Sequence, residues 1–126
     1  MSNHLEQENF KRIGGGLGPL VVAGDFALSA GMGATASIAI TAGSTDRRGR
    51  ATITSAGGSQ GANPTATLTF KDGAFPAAPF AQVCRGGGSQ RTVPVDVSCT
   101  ATTMVVTLLG TPVDAETYIF DWNVEA

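Results

Sequence analysis

Charge is scarce in this chain of 126 residues, which carries eight Lys and Arg, ten Asp and Glu, and one His. Charged side chains make up 14% of it, where about a quarter is usual. The surface must therefore rest largely on Thr, Ser, Ala and Gly, as in a Thr/Ser-rich β-protein or a component covered by neighbours in an assembly. A net charge of −2 leaves no electrostatic footprint for nucleic acid. No apolar run approaches the ~20 residues of a membrane span. The one histidine is His4, near the start of the chain. A Ser-His-Asp or Cys-His site would need a histidine in the folded body. Two cysteines and one distant histidine are too few ligands for a zinc site, and no EF-hand loop is present. Residues 14–19, Gly14-Gly15-Gly16-Leu17-Gly18-Pro19, lack the spacing and the following Lys-Ser or Lys-Thr of a phosphate loop. No catalytic residue, cofactor or metal is expected, and the chain reads as non-enzymatic.

Residues 1–8 also lack the apolar core of a secretory signal. The start reads as that of a whole gene product made in a reducing cytoplasm, so Cys84 and Cys99 are expected as free, buried thiols rather than a disulfide.

What the chain does have is alternation. Tyr118, Phe120, Trp122 and Val124 share one parity near its end, and in a β-strand one parity is one face. The only Trp, the only Tyr and one of six Phe lie there. Burying each large side chain contributes ~1.5–3 kcal/mol, so this strand is expected to anchor the core. Before it come short runs bounded by turn residues: 20–23, 26–28, 37–41, 49–54, 65–70, 80–84, 92–99 and 103–109. Ile38, Ile40, Ala51, Ile53, Ala66, Leu68 and Phe70 are expected to face inward, together with Phe80 and Gln82 or Val83. Pro94 marks its strand as an edge or a bulge. Spacings of this kind predict an all-β, antiparallel sandwich of about eight strands, jelly-roll-like, with a short N-terminal arm. The predicted organisation is an arm with a Gly-rich linker over residues 1–30 and a sandwich domain over residues 31–126.

The arm differs from the rest. Residues 1–13 hold His4, Glu6, Glu8, Lys11 and Arg12, and Asn3 with Glu6 has capping-box spacing. A helix of that length needs something to pack on. The densest charge in the body is Asp46-Arg47-Arg48-Gly49-Arg50. It reads either as a solvated hairpin turn or as a contact with an acidic patch, since Arg forks pair bidentately with carboxylates. The remaining acidic residues, scattered at turns, read as turn formers. Candidate partner-interface residues are His4, Phe10, Arg12, Arg47, Arg48 and Arg50.

Four stretches carry a resemblance: 44–54 (Ser44-Thr45-Asp46-Arg47-Arg48-Gly49-Arg50-Ala51-Thr52-Ile53-Thr54), 63–70, 75–79 and 110–122, in that order. Over residues 31–124 the chain resembles a small β-sandwich domain of tailed-bacteriophage virion proteins. The likeness lies in turns and core positions, not in a catalytic motif. It implies a structural protein that acts by its position in a particle, at the virion surface, after synthesis and assembly in the host cytoplasm. Two placements follow. One is a capsid decoration (cement or head-fibre) protein, with the arm on the major capsid protein and the sandwich projecting as a homotrimer. The other is a tail-fibre or receptor-binding tip among tail and fibre proteins, contacting a host-surface glycan. The length of the chain, with no shaft, and its Gly-jointed arm favour decoration. A small glycan-binding module is the third expectation. Nucleic acid and membrane insertion are not expected.

Overall fold

Alternating residues on one face and polar residues on the other require a partner layer, and the chain supplies two. In the computed structural model, which describes residues 19–88 and 93–125, eight strands form two four-stranded antiparallel sheets. The strands are β1 (Phe26–Leu28), β2 (Ser37–Ile40), β3 (Arg48–Thr54), β4 (Thr65–Thr69), β5 (Phe80–Gly87), β6 (Val95–Cys99), β7 (Thr103–Leu108) and β8 (Thr117–Glu125). One sheet runs β1-β4-β7-β6 and the other β2-β3-β8-β5. Within a sheet, β2–β3 and β6–β7 are sequential neighbours; the other connections cross between sheets. The expected all-β sandwich is observed.

β8 is the longest strand and lies between β3 and β5. Tyr118, Phe120, Trp122 and Val124 are all buried, at 2% exposure or less. Trp122 and Phe120 meet Phe26 of the opposite sheet edge-on, with ring centroids 5.4 Å and 6.2 Å away. Such edge-to-face pairs contribute ~0.5–1.5 kcal/mol beyond the area they bury. The indole N–H of Trp122 donates to Thr45 O at 2.9 Å, and the Tyr118 hydroxyl accepts from Val113 N at 2.7 Å. Both aromatic polar groups are therefore satisfied where they are buried. Ala51, Ile53, Ala66, Leu68 and Phe70 face inward as the alternation requires, and Ile38 and Ile40 pack half-buried against them.

Four expectations are corrected. Residues 20–23 do not form a strand: Leu20 makes a single bridge to Thr45, and Ala23–Asp25 is a 3-10 turn held by Val22 N donating to the Asp25 carboxylate at 2.8 Å. The sandwich begins before residue 31, because β1 pairs with β4 and both Val21 and Phe26 enter the core. Phe80 faces solvent at 80% exposure. Its strand is registered on β8 so that Ala81 and Val83 lie opposite Val124 and Trp122, on the inward parity. Cys84 is exposed rather than buried, while Cys99 is half-buried; both are free thiols, on different sheets. Pro94 immediately precedes β6, which is the sheet's edge as expected.

Candidate docking face

Strand register assembles the candidate site. On the outward parity of β3, β8 and β5, Cα pairing sets three rows across the strands. The first is Arg50, Asp121 and Cys84; the second Arg48, Asn123 and Gln82; the third Glu125 and Phe80. Three shallow depressions share Asn123. One of about 280 Å³ is lined by Phe80, Gln82, Asn123 and Glu125. One of about 620 Å³ is lined by Gln82, Val83, Cys84, Asp121, Trp122 and Asn123 together with Val97 of β6. One of about 440 Å³ runs from the 41–44 turn past Arg48 and Arg50.

Two glycines shape this face by close approach. Gly49 lies opposite Trp122, and a Cβ there would sit 2.5 Å from the indole and from Ser44. Its missing side chain lets Arg48 and Arg50 flank it while the Trp fills the space beneath. A Cβ on Gly86 would come 3.1 Å from the Asp121 carboxylate and 3.2 Å from the Arg50 guanidinium. Gly86 therefore leaves room for the fork between them.

That fork is bidentate: Arg50 Nε and Nη2 donate to Asp121 Oδ1 and Oδ2 at 2.6 and 2.9 Å. The geometry foreseen for a partner's carboxylate is met within the chain itself. Arg47 turns away, its guanidinium 5.4 Å from the centre of the Phe75 ring. Of the three body arginines singled out in the sequence, Arg48 and Arg50 share this outward face and Arg47 does not. Among the described residues, the Arg48 and Glu125 side chains take part in no ion pair. His4, Phe10 and Arg12 lie outside the described residues. Gln82, Asn123 and Phe80 were missed in the sequence. The signal that could have found them was the parity of β5 once Ala81 and Val83 are placed inward opposite β8.

Asp46 is not part of a solvated turn. It is 1% exposed, and its Oδ2 accepts from Asp72 N at 2.8 Å, while Oδ1 has no hydrogen-bond partner. Asp25 and Asp114 do act as turn acceptors, the latter binding Gly58 N and the Gln60 amide. No group of three or more His, Cys, Asp and Glu able to hold a metal occurs among the described residues, and none of their helices is long and apolar enough to cross a membrane.

The Arg50 hydrogen bonds hold the Asp121 carboxyl below the ordinary aspartate value, against an opposing desolvation. Asp114 is lowered first by Gln60 and then by Gly58 N–H. Asp25 is lowered first by Val22 N–H, with desolvation opposing and Lys71 assisting. A depressed carboxylate contributes stability that is present above its unfolded value and is lost as pH falls through its folded value. The melting temperature is therefore expected to hold steady near neutrality and to decline below about pH 4. Asp121→Asn should be less stable than the native chain at neutral pH and lose less on acidification. A native melting temperature unchanged down to about pH 3 would show that these carboxylates do not matter to stability.

Comparison with known protein families, curated proteins and solved structures finds no match.

Proposed function

We propose that this chain is a non-enzymatic structural protein of a tailed-bacteriophage virion. In this reading it is a capsid decoration (cement or head-fibre) protein that docks through residues 1–13 on the major capsid protein and presents the sandwich outward as a homotrimer. The observation that carries the reading is where the chain joins the sandwich. Val21 N donates to Ser44 O at 2.8 Å and Leu20 bridges Thr45, so the described chain enters the body beside the 41–45 turn. Among the described residues, the core runs from Val21 to Val124. A division between a segment that docks and a body that projects suits a protein acting by position. The resemblance over residues 31–124 supplies the particle.

A second reading is favoured by Phe80. An exposed ring beside the Gln82 and Asn123 amides offers an apolar platform with paired donors and acceptors. That chemistry fits a sugar ring, as a tail-fibre or receptor-binding tip contacting a host-surface glycan would need, or a small glycan-binding module.

Immunogold electron microscopy of purified particles, with antibody against the sandwich, separates the readings. Label spread over the shell is the expected result. Label confined to the tail would replace decoration by the tip reading. Absence of label from intact particles would overturn both placements.

A further inference from the structure

We propose that the outward face of β3, β8 and β5 pairs with the same face of a second copy, about a two-fold axis lying in the plane of the face. Such a contact needs a self-complementary patch, in which one residue meets another and the reverse contact repeats it. Three features of this face meet that demand.

The first is charge. Arg48 lies on β3 opposite Asn123, and Glu125 follows two residues along β8 on the same parity. Both are exposed, and neither side chain takes part in an ion pair among the described residues. Strand spacing and rise put their Cα atoms ~8 Å apart on a diagonal of the face. A second copy turned over onto the face sets each Arg48 against the partner's Glu125. One exchange thus satisfies two cations and two anions.

The second is shape. Phe80 stands beside Glu125 and is 80% exposed. The depression of about 440 Å³ is ringed here by Arg48, Arg50, Asp121 and Asn123 and floored by Gly49 and Trp122. Gly49 and Trp122 have the inward parity, so they offer only backbone to this face. From Gly49 to Phe80 is two strands across and three residues along, ~14 Å. That line runs within ~10° of the line from Arg48 to Glu125, and one axis in the face bisects both. The rotation that sets Arg48 on the partner's Glu125 therefore also seats Phe80 in the partner's depression. There the ring meets the guanidinium of the partner's Arg48, a cation–π contact.

The third is what lies on the axis. Gln82 and Asn123 are opposite one another, between the two exchanged pairs. A primary amide both donates and accepts, so each can meet its own image across a two-fold.

The three strands and three rows cover ~10 by ~14 Å of backbone. With side chains the pair buries on the order of 800 Å² in total, below the ~1,200 Å² of a standard interface, so the dissociation constant is expected to be on the order of 100 μM. The pairing does not rest on the particle reading, whose homotrimer would be held by other surfaces. It uses the same Phe80 as the glycan reading, so a paired face is closed to sugar.

Sedimentation velocity of the full-length chain, from about 1 μM to about 1 mM, tests this. A monomer–dimer equilibrium is expected. Arg48→Glu, Glu125→Arg and Phe80→Ser should each weaken it at least tenfold, because every change acts at both symmetric contacts. An equimolar mixture of the Arg48→Glu and Glu125→Arg chains should pair as the native chain does, since each contact across the axis then joins opposite charges. That recovery also excludes misfolding as the cause of the losses. A monomer at every concentration would overturn the proposal, as would a dimer indifferent to the three substitutions or a mixture that fails to recover. Trimers or open chains that depend on these residues would make the contact head-to-tail and overturn it equally.

Discussion

Trp122→Ala is expected to cost ~3–5 kcal/mol, a large share of the ~5–15 kcal/mol that domains of this size hold in total. The indole is 2% exposed, contacts Phe26 and Phe120, and donates to Thr45 O. Its removal opens a large cavity between the sheets. It also frees the carbonyl of Thr45, which sits where the chain enters from Leu20. Gly49 cannot compensate, because it has no side chain to move into the void. Trp122→Phe retains most of the apolar volume and gives up the hydrogen bond, so a loss of ~1–2 kcal/mol is expected. Urea unfolding followed by circular dichroism measures both. A loss below ~1 kcal/mol for the alanine variant would mean that β8 is peripheral to stability.

Arg85→Ala is the second large effect. The guanidinium bridges three backbone carbonyls, Ile119 O at 3.1 Å, Val93 O at 2.7 Å and Gly87 O at 2.9 Å, and lies 5.6 Å from the centre of the Tyr118 ring. Its pKa is lowered by desolvation, with Tyr118 acting in the opposite sense. The bulge between Arg85 and Gly87 places this side chain at the end of the pairing of β5 with β8. Hydrogen bonds from a charged donor contribute ~1.5–3 kcal/mol each and are not additive, so a total loss of ~2–4 kcal/mol is expected. Arg85→Lys should recover little, because a point ammonium cannot span three carbonyls as a planar fork does. Amide exchange should rise first in β5 and β6. Full stability in Arg85→Lys would reassign the residue to simple charge.

The parts of the fold legible in the sequence are those where large apolar residues alternate with polar ones. β8 is the clearest, and β4 follows, with Ala66 and Leu68 inward between threonines. β5 misled because its largest apolar residue, Phe80, has the wrong parity. The inward places are taken by Ala81 and Val83, small enough to pack opposite Val124 and Trp122. Hydrophobicity alone favours burying Phe80, and only the register with β8 decides against it. Asp46 misled for a related reason: its neighbours read as a charged turn, yet Ser44, Thr45 and Asp46 are buried where Leu20, Val21 and Asp72 bond to them. On the outward face of β3, β8 and β5, the arginines were legible as a cluster. The division that puts Arg48 and Arg50 on one side of β3 and sends Arg47 to Phe75 was not. It depends on where the strand begins, and element boundaries are the weakest part of a pattern reading.

The two sheets end in unequal edges. β5 and β6 lie at one side of the sandwich, tied by the Arg85 bond to Val93 O. The other two edges are β1 and β2, of three and four residues. An edge strand is an open row of donors and acceptors that can recruit a neighbour's strand, and brevity is one of the ways proteins blunt it. Along the β1 and β2 side, a neighbouring copy therefore finds little backbone to zip onto, and the longer edges, β5 and β6, are confined to the other side. A neighbour approaching that short-stranded side meets the molecule through side chains, and strand-to-strand polymerisation there is disfavoured by strand length.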